Sequence, residues 1–110
     1  MDDGGGVSGN MRERVVDSLP DAYSYPAIVA DCYEGGMWVL NFPDLSGCWC
    51  EASTREEAVS LGRRTLGRYL ADRERMGFPL PPPGDPCEFA QTGLGSVIIV
   101  HVTMDDFRSP

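Results

Sequence analysis

The chain has no lysine. All nine of its basic residues are arginine, and they face seventeen aspartates and glutamates, so the formal net charge is -8 over 110 residues. So little positive charge argues against a sequence-independent grip on nucleic acid, which rests on a basic surface set against phosphates. It suits a basic protein partner, because opposite charge speeds encounter. No apolar run approaches the ~20 residues needed to cross a membrane. The opening Met1-Asp2-Asp3-Gly4-Gly5-Gly6 has neither a basic start nor an apolar core, so it does not read as a signal peptide. That glycine run also precedes no strand–helix unit, which removes a phosphate-cradling loop. A cytoplasmic location follows as the expectation, and there the four cysteines are reduced.

What remains is one domain's worth of chain, able to bury one small core. Residues 1–20 read as an N-terminal extension, glycine-rich and acidic at first, with a short helix over 11–19 before Pro20 stops it. Tyr25 to Tyr33 reads as a strand, and its continuous apolar run Ala27-Ile28-Val29-Ala30 suits a central one covered on both faces. Glu34-Gly35-Gly36 makes a hairpin turn, and Met37 to Phe42 is the second strand. Pro43-Asp44 leaves the sheet, because proline cannot donate to a ladder. Gly47 to Ala52 is a short third strand.

Ser53 and Thr54 then double a helix-capping signal, with Glu56 and Glu57 three residues after each. Leu61, Thr65, Leu66, Tyr69, Leu70 and Met76 follow at helical spacing and mark a buried face. Gly62 and Gly67 weaken that helix but let it lie close to the sheet. Gly77 ends it, and Pro79 and Pro81 to Pro83 make a stiff exit. Residues 78–94 read as a long loop, and Ser96 to Met104 as the last strand. Three strands, a crossover helix and a fourth strand predict an α+β fold. The sheet is expected to be mixed, of order 3-2-1-4, with strand four parallel to strand one. One helix covers one face, which leaves the other face or an edge for association.

The chemistry-bearing residues are few. Cys48 and Cys50 project to one face of a strand, but a zinc site wants two ligand pairs on turns, so buried reduced thiols are expected. His101 shares a strand face with Val97 and Ile99, and no nucleophile motif accompanies it. A metal-dependent nuclease would need Asp31, Glu51 and Glu56 or Glu57 to converge on divalent ions. Glu56 and Glu57 already have a capping role. No catalytic, metal or cofactor residue is therefore expected.

The ordered set Tyr25-Pro26, Gly36-Met37-Trp38-Val39, Phe42-Pro43-Asp44-Leu45-Ser46-Gly47-Cys48 and Thr54-Arg55-Glu56-Glu57-Ala58 resembles the HicB-type antitoxin domain. The resemblance covers about Tyr23 to Met104, placing the domain at 21–106 with a short tail at 107–110. It implies a truncated ribonuclease-H-like fold and no enzymatic activity. It also implies a partner, a small basic HicA-like toxin that cleaves mRNA. Only Asp105 to Pro110 follow the last strand, so the resemblance is to the solo form, without direct DNA binding. Ser46 in place of proline, Ala52-Ser53 before Thr54, the 78–94 segment and the N-terminal extension are departures from the family pattern. The expected partner-binding residues are Asp31, Glu34, Trp38, Asp44, Trp49 and Glu51. Val97, Ile99 and His101 are the expected interface of a homodimer or tetramer. The alternative function is a HicB-like oligomeric regulatory or small-ligand-binding module.

Overall fold

The computed structural model describes residues 19–32 and 35–108. The expected helix over 11–19 therefore lies almost wholly outside the described residues, as do Tyr33 and Glu34. Four strands, β1 (Ala22–Cys32), β2 (Met37–Asn41), β3 (Trp49–Ala52) and β4 (Ser96–Thr103), form one sheet in the order β3-β2-β1-β4. Helix α1 (Arg55–Met76) links β3 to β4, with a short helix α2 (Pro86–Ala90) in the return connection.

Every pairing is antiparallel, so the sheet is not mixed, and β4 lies beside β1 but runs antiparallel to it rather than parallel as the crossover rule implied. Ser96 pairs with Val29 and Thr103 with Ala22. The physical reason lies in residues 77–95. The proline-rich stretch leaves α1 stiff and extended, so the chain is carried to the opposite end of the sheet before β4 begins. That stretch is also not one long loop. Asp85 accepts a hydrogen bond from the Cys87 amide at 2.9 Å and Pro86 occupies the first helical turn, which nucleates α2.

α1 starts and stops where its caps place it. The Thr54 hydroxyl accepts from the Glu57 amide at 3.1 Å, and Ser53 donates to the Glu57 carboxylate at 2.8 Å. Gly77 closes the helix at φ 73°, a left-handed conformation that costs glycine nothing, and its amide and that of Phe78 bond back to Glu74 and Arg73.

Alternation along each strand separates two faces. The inner face carries Tyr25, Ala27, Val29, Leu40, Cys50, Val100 and Val102, packed on Ala58, Leu66, Leu70 and Ala71 of α1. Leu61, Thr65 and Tyr69 are only half buried beside that line, and Met76, expected in the stripe, is 59% exposed in the last turn. The two helix glycines do permit close approach. A β-carbon on Gly62 would stand 2.9 Å from Leu40 of β2, and one on Gly67 would stand 2.4 Å from the Phe107 ring. Gly67 is thus held against the residues after β4 rather than against a strand.

The turn after β2 is closed by amide bonds from Leu45 to Phe42, from Cys48 to Leu45 and from Phe42 to Cys48, which drive Phe42, Leu45 and Cys48 into the core. Tyr25 donates to the Pro81 carbonyl at 2.6 Å, and Asp44 accepts from the Gly84 amide at 2.8 Å. These two bonds strap the proline segment onto the sheet.

Candidate interaction surface

The outer face of the sheet follows from the same registers. Trp49 of β3 pairs with Asn41, Asn41 with Ile28, and Ile28 with Val97 of β4. Glu51 pairs with Val39, Pro26 with Ile99, and Ser24 with His101. The centre of this face is covered. Pro26 and Ile28 are buried, Gly95 abuts Ile28, and α2 packs on β1 and β4. The exposed apolar side chains stand at the two margins: Trp49 is 52% exposed on β3, and Ile99 is 54% exposed on β4. An indole and a branched aliphatic chain left half in water at separate margins are features of contact surfaces.

The expected partner residues do not form one patch. Trp49 and Glu51 lie together on the outer face at the β3 margin. Asp31 pairs with Trp38 across β1 and β2 on the opposite face, and Trp38 packs against the core. Asp44 is engaged with Gly84. Glu34 lies outside the described residues. Val97, Ile99 and His101 do share the outer face at the β4 margin, where the Ser24 hydroxyl and His101 Nδ1 are 2.8 Å apart. Asp31 and Glu51 thus point to opposite faces, and the Glu57 carboxylate accepts from Ser53. The acids needed for two-metal nuclease chemistry are not brought together.

Cys48 and Cys50 point inward together as expected. Burial pushes the Cys48 thiol up to about 12, with Cys50 adding to it, and burial raises Cys50 as well. Both are held as thiols, the form that neither attacks nor ligates. Cys50 Sγ donates to the Ala58 carbonyl at 3.5 Å. Among the described residues no group of three or more His, Cys, Asp or Glu side chains could hold a metal ion. Nor does any described helix have the length and apolarity to cross a membrane.

Sequence reasoning passed over two clusters. In the first, Glu74 accepts Tyr23 Oη at 2.6 Å and two Arg108 nitrogens at 2.9 Å each, and Arg108 also reaches the Pro20 carbonyl. Burial alone would raise the Glu74 carboxyl, but the bonds from Arg108 and Tyr23 outweigh it and hold it below the usual carboxylate range. Burial, then the bond to Glu74, pushes Tyr23 up to about 12. In the second, the Arg73 guanidinium lies 5.2 Å from the Tyr69 ring centre and 5.4 Å from that of Phe78. It donates to Tyr69 Oη at 2.9 Å, while its buried Nε has no partner among the described residues. Tyr69 and Arg73 stand four residues apart, a helical spacing that would have signalled the pair.

No family model matches the chain, and no curated protein matches it in sequence. Solved structures do match in shape. A chain of a toxin-antitoxin complex from Streptococcus pneumoniae superimposes with TM-score 0.68 and 19% identity, over 80% of this chain and 74% of that one. A chain of the HicA3 and HicB3 toxin-antitoxin complex gives TM-score 0.54 and 25% identity, over 76% of this chain and 99% of that one. The N-terminal domain of the Burkholderia pseudomallei antitoxin HicB gives TM-score 0.60 and 16% identity, over 76% and 99%. The fold is HicB-like.

Proposed function

We propose that this protein is an antitoxin-type interaction module that binds and neutralises a basic, HicA-like ribonuclease in the cytoplasm. The observation that carries the reading is the HicB-like fold, shared with chains of two toxin-antitoxin complexes and with the N-terminal domain of an antitoxin HicB. Charge supports it: a ribonuclease must hold RNA with positive charge, and this chain carries -8. The β3 margin supports it as well, because an exposed tryptophan beside a carboxylate, Trp49 with Glu51, is an anchor of the kind that dominates interface energetics. The acids speed association, so added salt slows association more than it hastens release.

The β4 margin serves a second copy of the chain. Val97, Ile99 and His101 pack on their symmetry mates in a homodimer or tetramer, with Ile99 at the centre. Two partners on two margins need not compete. In this role the protein performs no chemistry of its own.

The test is rescue. A basic protein encoded beside this gene is expressed alone and together with the protein. Restored growth and co-purification are expected. Absence of both leaves the fold in a regulatory or ligand-binding role. RNA cleavage by the purified protein, abolished by Asp31→Asn, would overturn the non-enzymatic reading.

A further inference from the structure

The charge of this molecule is not evenly spread. From Ala58 to Ala71 the helix α1 carries three arginines and no acid, in a chain with an excess of eight acids. Arg63, Arg64 and Arg68 are all exposed and form no ion pair with another described residue. The nearby carboxylates are engaged elsewhere. Asp72, one turn beyond Arg68, is paired with Arg75. Glu74 is held by Arg108 and Tyr23, and Glu57 by Ser53. Arg64 and Arg68 stand four residues apart on one side of the helix, where like charges repel.

Between those two guanidiniums lies a shallow depression of about 340 Å³, lined by Leu61, Arg64, Thr65, Arg68 and Tyr69. Its walls are fixed. Tyr69 Oη donates to the Ser46 carbonyl at 3.0 Å and accepts from Arg73, so the ring is tied both to the turn before β3 and to the next turn of α1. Leu61 packs against the core. The depression therefore offers two planar cations, a hydroxyl, an aromatic ring and an aliphatic floor.

We propose that this depression is a binding site for a small phosphomonoester with a flat apolar body, of the mononucleotide kind. Two guanidinium forks match the oxygens of a phosphate dianion. The Tyr69 ring and Leu61 supply a surface for the base. The volume lies at the low end for ligand pockets, which suits one nucleotide rather than a polymer. The net charge of -8 opposes a long polyanion and bears far less on a single phosphate. Arg63, one residue from Arg64 but outside the lining, marks the difference between a built site and diffuse positive charge.

The experiment is a chemical-shift titration of the intact protein at low salt, following backbone amides of α1 and the arginine Nε–H signals. The probes are 5′-AMP, adenosine, inorganic phosphate, and a short RNA with and without a 5′-phosphate. AMP is expected to give saturable shifts at residues 61–69, phosphate weaker ones, and adenosine none. Arg64→Gln and Arg68→Gln are each expected to weaken AMP by about tenfold, the loss of one charge-assisted bond. Arg63→Gln should change it less than about twofold, and unchanged melting temperatures certify the fold of all three. A 5′-phosphorylated RNA that binds like AMP, beside an unphosphorylated one that does not bind, identifies a strand terminus as one source of the phosphate. No saturable shift with AMP, equal shifts with adenosine, equal weakening by Arg63→Gln, or tighter binding of unphosphorylated RNA would each overturn the proposal.

Discussion

The two faces of one four-stranded sheet have opposite chemistry, although they alternate along the same residues. On the inner face Leu40, Val102 and Met104 are sealed beneath α1, and a side chain is felt through the cavity it would leave. On the outer face burial is confined to Pro26 and Ile28, and the margins carry Trp49 and Ile99 half in water. Stability resides in the first face, and the proposed function assigns recognition to the second. Substitutions of similar size should therefore have very different effects on the two sides.

The largest contrast is expected from Leu66→Ala against Ile99→Ala. Leu66 is fully buried on α1, and its truncation should cost about 2–5 kcal/mol in denaturant unfolding. In dilute protein Ile99→Ala should cost no more than about 0.5 kcal/mol, while Ile99→Asp shifts the mass seen by light scattering to that of a monomer. A large, concentration-independent loss from Ile99→Ala would show that the β4 margin carries stability as the inner face does.

Next in size is the cluster joining Tyr23, Glu74 and Arg108 at the far end of α1. The Glu74 side chain is 6% exposed and that of Arg108 27%. Arg108→Ala should cost about 2 kcal/mol, because it strands a buried carboxylate. The cluster also sets the pH range of stability. The Glu74 carboxyl is lowered in the fold, so its contribution is present above the ordinary value of 4.5 and is lost as pH falls through the folded value. Tyr23 is raised from 10.0 to about 12, so its contribution is full below pH 10 and is lost as pH climbs toward 12. Thermal melting across both ranges should show two declines, and Tyr23→Phe should flatten the alkaline one.

Gly67→Ala sharpens the inner side. Alanine improves helix propensity by up to ~1 kcal/mol, but here its methyl meets the Phe107 ring, and overpacking costs ~1–3 kcal/mol. A net loss of about 1 kcal/mol is expected, and Phe107→Ala in the same chain should restore tolerance of the methyl. Smallest is Thr54→Ala, which removes the cap of α1 for about 1 kcal/mol or less.

The parts legible in the sequence were those set by neighbours along the chain. Thr54 and Gly77 bound α1 through bonds spanning a few residues, and the strand order followed from a tight hairpin and a proline turn. The direction of β4 was not legible in that way, because it depends on where residues 77–95 deliver the chain. Two long-range bonds, Tyr25 to Pro81 and Asp44 to Gly84, hold that route. Asp85-Pro86 did carry a local helix-start signal within it. Trp38 and Trp49 were expected alike as partner-binding residues, yet parity against Leu40 and Cys50 puts the first inward and the second outward. The Tyr23–Glu74–Arg108 cluster gathers residues 51 and 34 positions apart, a pairing that no local pattern announces.

The most direct measurement is the affinity of the proposed basic partner for wild-type protein and for Trp49→Ala, with melting temperatures recorded for both. Trp49→Ala is expected to melt as wild type but to bind weaker by about 2 kcal/mol or more, roughly thirtyfold. A partner that binds Trp49→Ala as tightly as wild type would contradict it.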